Sequence, residues 1–292
     1  MCLPTVQQLG RGWAICDTVY PKSSTRVTSA YYVDTESAYS FMCIQRADWW
    51  MQVSVWWDPD TGKCGFMINY RMGFGGAFAP NRFERLSTLA AAYTQYLQRQ
   101  FDLDQPPPSS AQRWTSDRRA LQRDGLLPQG EAQRTPAYLQ VYIDDFTGAA
   151  GNDAVTSPPC VDNITMDPDG MASSGCEPAP ADSTRVMVHA KLCILALAHL
   201  GLHAAPQKTM GGCPLIALGM RLDVKRGIID CPLNKRTSVL FDIKRQRAMA
   251  LSTRGIVHTR VRRLVGRLCN PSQVTPAPRP VLHGGCALCV TE

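Results

Sequence analysis

A chain of 292 residues with 45% apolar content is long enough for one large or two modest domains built around a true core. Its 12 cysteines are spaced too irregularly for a secreted disulfide framework, so reduced thiols in a cytosolic or nuclear protein are expected. The first residues, Met1 to Gln8, lack the charged opening and apolar core of a signal peptide, and the longest apolar run, near Leu192 to Leu200, is too short to span a bilayer. Secreted and membrane-spanning proteins are therefore not expected.

In chain order, residues 1–29 carry no strong pattern, although Thr5 to Leu9 could begin a helix. Residues 30–34 predict a strand, and 36–44 a helical or turning segment. Trp49 to Trp57 and Cys64 to Tyr70 are strand-like, joined by a hairpin signal at Asp58 to Gly62. Trp49, Trp50, Trp56 and Trp57 are expected to pack on a sheet rather than to stack on bases. Pro80 suits a first helical turn, and Phe83, Leu86, Ala90, Tyr93 and Leu97 then form an apolar stripe. Asp102 to Gln112 holds three consecutive prolines and predicts a loop, whereas Trp114 to Glu131 is charged and ambiguous. Residues 147–184 have six acids and no Lys or Arg, which predicts a surface insertion. Arg185 to Leu200 predicts a helix stopped by Gly201, and short strands follow at 216–222 and 227–230.

The overall charge is +7, yet Lys235 to Arg267 holds ten Lys or Arg against one acid, a local charge of +9. The remainder of the chain is slightly acidic. Val239, Leu240 and Ile243, then Val261, Leu264, Val265 and Leu268, recur at helical spacing, so packed basic helices suited to a phosphate backbone are expected. His283, Cys286 and Cys289 have the spacing of half a zinc site, without a second pair of ligands.

Chemistry concentrates in Tyr138 to Phe146. Leu139, Val141 and Ile143 face one side of a strand and Tyr138, Gln140 and Tyr142 the other, with Asp144 and Asp145 at its tip. Adjacent carboxylates repel, and burial sharpens the repulsion unless a cation intervenes; hard oxygen donors select magnesium or manganese. An acidic hairpin turn would explain the pair equally well when it is taken alone. A second apolar run, Tyr31 to Val33, also ends in an acid, Asp34. Side-by-side pairing of the two strands would gather the acids into a two-metal site for phosphoryl displacement.

These segments resemble the motifs of reverse transcriptases. Asp34 to Tyr39 is similar to the first palm motif, and Tyr142 to Asp145 to the Tyr-x-Asp-Asp box. Met72 to Pro80 with Phe83 is similar to the Pro-Phe-Gly-x-x-x-Ala-Pro segment. Leu202 to Thr209 resembles the lysine motif and Ala217 to Leu222 the primer-grip hairpin. The likeness covers roughly residues 28–292 and is greatest to retrotransposons of the DIRS type, with counterparts at Leu264 to Asn270 and Pro278 to Pro280.

The resemblance implies an α+β right-hand polymerase fold. Residues 1–29 would be a remnant of the fingers or a connector. The palm would span 30–232, with insertions at about 102–136 and 147–184, and a helical thumb 233–292. It implies two Mg2+ or Mn2+ ions on Asp34, Asp144 and Asp145, with Lys208 near the departing pyrophosphate. Thr35, Tyr39, Phe74 and Gly75 would contact the deoxynucleoside triphosphate, and the Tyr39 ring would exclude a 2′-hydroxyl. Tyr142, Gly219, Arg260 and Arg263 would contact an RNA or DNA template–primer duplex.

The sequence departs from the family in three ways. Gly73 stands where the family has proline, and 110 positions separate Asp34 from Asp144, more than a compact palm needs. The Asp-x-Arg-x-x-Asn signature of the fingers is not found ahead of Asp34, so a truncated retroelement gene is expected. Two alternatives stay open: a catalytically inactive remnant that binds nucleic acid, and an RNA-dependent RNA polymerase of the same fold.

Overall fold

The structure is a computed structural model that describes residues 6–20, 29–72, 79–126, 136–161, 164, 184–205, 208–212, 214–217, 219–223 and 228–251. Its class is α+β with antiparallel sheets. The main sheet has four strands in the order β4 (Tyr138–Tyr142), β5 (Asp145–Ala150), β1 (Ser29–Asp34) and β6 (Met210–Gly212). β4 and β5 form a tight hairpin, and β1 pairs antiparallel with β5 and with β6.

Alternation along these strands gives the sheet two unlike faces. Tyr31 and Val33 of β1, Leu139 and Val141 of β4 and Phe146 of β5 point to one face. There they meet α2 (Ala79–Asp104) and α4 (Arg185–His199) through Phe83, Ala90, Val186, Ala190 and Leu197. The opposite face carries Tyr138, Ala30 and Ala149, covered by α1 (Val6–Val19) through Leu9, Trp13 and Cys16. α1 lies so close that a Cβ on Gly12 would fall 2.4 Å from the Tyr138 ring. Ala111 of α3 (Ser109–Arg123) joins that second core, as does the small sheet of β7 (Leu215–Ala217), β8 (Met220–Asp223) and β9 (Ile228–Asp230).

Several expectations need correction. The helix that Thr5 to Leu9 could begin does form, as α1, but it runs on to Val19 as a core helix where the sequence shows no strong pattern; Gly10 and Gly12 weaken its helical signal while permitting its close approach. The region 102–126 is mostly helical rather than an inserted loop, because α2 runs on to Asp104 and Pro108 starts α3 from the position before its first turn. Within the insertion expected over 147–184, Thr147–Ala150 are instead buried strand. Of the four tryptophans expected to pack on a sheet, none lies on a strand of the main sheet. Trp49 lies in a 3-10 turn (Arg46–Gln52), edge-on to Tyr70. Trp56 and Trp57 are on a separate hairpin of β2 (Val53–Asp58) and β3 (Lys63–Ile68), with Trp57 and Phe66 exposed. Finally, α5 (Leu233–Leu251) exposes Leu240 and Phe241, so this first part of the basic segment is not packed as expected. Residues 252–292, with the half zinc site, lie outside the described residues.

Candidate active site

The expected convergence of acids can be followed strand by strand. β1 ends at Asp34, directly opposite Asp145, and Asp145 is in turn opposite Tyr142. Tyr142, Asp145 and Asp34 therefore form one cross-strand row, on the face that α1 covers only farther along. Behind them Gln140, Thr147 and Tyr32 form a second polar row. Acids more than a hundred positions apart in the chain thus become neighbours across a strand pair.

The bend is held by backbone bonds. The Thr35 N–H and its Oγ1 both donate to the Asp144 carbonyl at 3.1 Å. On the other side, the Ala205 N–H donates to the Asp34 carbonyl at 2.8 Å and the Glu36 N–H to that of His203 at 2.7 Å. Ile143 takes a left-handed φ of 59°, a conformation that strains a β-branched residue. That strain is the local condition for a two-residue turn, Ile143 and Asp144, that sets one acid in the turn and the next at its flank, where Tyr142 and Asp145 remain paired.

The charges at this bend are out of balance. Lys208 Nζ is 2.7 Å from Asp34 Oδ2, and its side chain is largely exposed. Beyond this ammonium, no ion-pair partner within 4 Å faces Asp34, Asp144 or Asp145 among the described residues. Burial first, and then Asp144 and Asp34 nearby, push the Asp145 carboxyl up to about 7 against the opposing hydrogen bond from Tyr32. Asp144 is raised as well, by burial and by Asp34, with its own backbone amide and Lys208 pulling the other way. Asp34 in turn favours the protonated form of Lys208.

Of the remaining sequence candidates, Tyr39 is buried with its ring edge-on to Phe83, centroids 5.7 Å apart. Burial and then the Asp144 charge raise its phenol, so it lies within electrostatic reach of the bend. Tyr142 is half-buried in the carboxylate row. Gly219, at φ 75°, turns β7 into β8 on the second sheet, not in the row. Phe74, Gly75, Arg260 and Arg263 lie outside the described residues.

Two polar residues of this site escaped the sequence reading. The Tyr32 hydroxyl donates to Asp145 Oδ1 at 2.5 Å. Gln140, 6% exposed, accepts from the Tyr138 hydroxyl, and its Nε2 has no hydrogen-bond partner among the described residues. Period-two alternation already puts Tyr32 on the same side as Asp34 and Gln140 on the same side as Tyr142, so the signal was available.

These donors fit a hard divalent cation in type and charge: carboxylate oxygens, partly buried, short of positive charge. Metal-ligand geometry itself is not formed. Among the described residues no three His, Cys, Asp or Glu side chains are arranged to hold an ion. No helix among them is long and apolar enough to cross a membrane. No protein-family model matches the chain, and no curated protein sequence matches it.

Proposed function

We propose that this chain is the RNA-directed DNA polymerase domain of a retroelement, a nucleotidyltransferase whose palm is the four-stranded sheet. One observation carries the proposal: Asp34 meets Asp145 in register beside Asp144, at a bend with one displaceable cation. Asp34 and Asp144, assisted by Asp145, would hold two magnesium or manganese ions. Such ions supply activation of the primer 3′-hydroxyl and stabilisation of the departing pyrophosphate. Everything else falls to the protein. Lys208, exposed and paired among the described residues with Asp34 alone, can turn toward the pyrophosphate and neutralise or protonate it. The buried Tyr39 ring offers a rigid wall against a ribose 2′-hydroxyl, which favours deoxynucleotides. The exposed Lys235, Arg236, Lys244, Arg245 and Arg247 of α5 suit the template–primer backbone, with salt-dependent binding.

Primer extension by the purified protein tests this proposal. Mg2+-dependent incorporation of deoxynucleotides is expected to fall at least about 100-fold in Asp144→Asn. Equal incorporation by both proteins removes the assigned role. A second function, nucleic-acid binding without catalysis, is favoured by the Lys208–Asp34 ion pair and the unformed metal-ligand geometry. Its mark is salt-dependent template binding with no extension by either protein.

A further inference from the structure

Each of the two facing acids has a hydrogen-bond donor, and the donors differ in kind. Lys208 reaches Asp34 on a long side chain that is 62% exposed. Such a group would be displaced at little cost, because the ammonium can return to water. Tyr32 is the opposite case. Its ring is half-buried between Thr147 on β5 and Met210 on β6, and it packs against the core that α1 and the second sheet complete. With two side-chain torsions and a partly buried ring, the hydroxyl has little freedom, and it donates to Asp145 Oδ1 at 2.5 Å. Asp145 is the diagonal neighbour of Tyr32 across the strand pair, at a reach that suits an aromatic side chain.

A carboxylate in a crowded acidic row would otherwise turn away from its neighbours. A fixed donor on one oxygen prevents that, and it leaves the other oxygen as the better electron-pair donor. Resting on the two-metal reading above, we propose that Tyr32 is a positioning residue. Its hydroxyl locks the Asp145 carboxylate so that the free oxygen serves the cation shared with Asp34. Outer-shell donors of this kind typically change metal affinity by about 10–100-fold when removed. Lys208 holds Asp34 and Tyr32 holds Asp145, and only the second of these donors would have to stay in place with a cation bound.

The test compares wild type, Tyr32→Phe and Asp144→Asn in Mn2+ titrations followed by electron paramagnetic resonance, with metal-free melting curves for each. Tyr32→Phe deletes one oxygen, so its metal-free melting temperature should stay within about 4 °C of wild type. Its Mn2+ affinity should fall about 10-fold, and in primer extension the metal requirement should rise while the KM for the deoxynucleotide stays put. Unchanged Mn2+ affinity in Tyr32→Phe, beside a clear loss in Asp144→Asn, overturns this inference alone. Loss of the fold in Tyr32→Phe overturns it too, because the hydroxyl would then be structural. If wild type binds no Mn2+ that Asp144→Asn reduces, the two-metal reading and this inference fall together.

Discussion

Strand β5 runs from one acidic cluster to another, and the two are built on opposite plans. Beyond its far end, Asp153 and Asp102 close on Arg185, which is 1% exposed. The guanidinium makes two bonds of 3.1 Å from Nε and one of 3.0 Å from Nη2 to Asp153, donates to Asp102 through Nη1, and lies over the Phe101 ring. His189 Nε2 completes the group 3.3 Å from Asp102. Burial alone would raise the Asp102 carboxyl, but His189 and Arg185 outweigh it and hold it below its ordinary value. At the near end, Asp34, Asp144 and Asp145 share one exposed lysine, and Asp145 goes up instead. One fold thus neutralises buried acids thoroughly in one place and leaves them short of charge in another. The deficit is a property of the bend, and it is the feature on which the proposed metal site rests.

The largest expected effect breaks the balanced cluster. Arg185→Met would leave Asp102 and Asp153 buried without their cation, and such losses destabilise by about 3–5 kcal/mol. Urea denaturation at pH 7 measures this, and a loss under about 1 kcal/mol would mean that the cluster is not a stabilising one. The pH dependence follows from the depressed Asp102. Its contribution is present above the ordinary carboxylate range and is lost as pH falls through the lower folded value.

Both clusters also show what a sequence can and cannot disclose. Tyr138 to Phe146 announced its strand and bend because period-two alternation is local, and the stripe of α2 was visible for the same reason. Asp34 could be joined to that bend because it too ends an apolar run. Arg185 gave no such signal, since its partners come from the end of α2 and a coil segment after β5, and only tertiary packing joins them. The three prolines predict a loop from Asp102 onward, although α2 extends two residues past it. Trp57 and Phe66 alternate like buried strand residues, yet the strand pair that carries them exposes both. Composition states that a face is apolar, not what lies against it.

A smaller effect of opposite sign sharpens the contrast at the bend. Asp145→Asn removes one of the crowded charges and keeps an oxygen to accept from Tyr32. The folded carboxyl titrates near 7 and the unfolded one near 3.8, so wild type loses stability as pH rises through that window and the amide does not. Discounted for partial exposure, the variant should be more stable by about 1–2 kcal/mol at pH 8, with the gain fading toward pH 4. Its extension activity should fall at the same time, the usual exchange of function for stability. A variant no more stable at pH 8 than at pH 4 would show that the three acids do not repel one another in the fold.

The smallest expected effect concerns the strain that makes the bend. Ile143 at φ 59° gives up about 1–2 kcal/mol relative to an unstrained residue. Ile143→Gly relieves that strain, but it enlarges the unfolded ensemble by about 0.4–1 kcal/mol and removes a side chain that is packed against the first core. The terms nearly cancel, so melting should shift by less than about 1 kcal/mol in stability. Activity should not cancel in the same way. A glycine turn samples several conformations, Asp144 and Asp145 would no longer be held in one, and Mn2+ affinity should fall with little change in melting. Loss of stability without loss of affinity would instead assign Ile143 to the core alone, and the bend would owe its geometry to Thr35 and its two bonds to the Asp144 carbonyl.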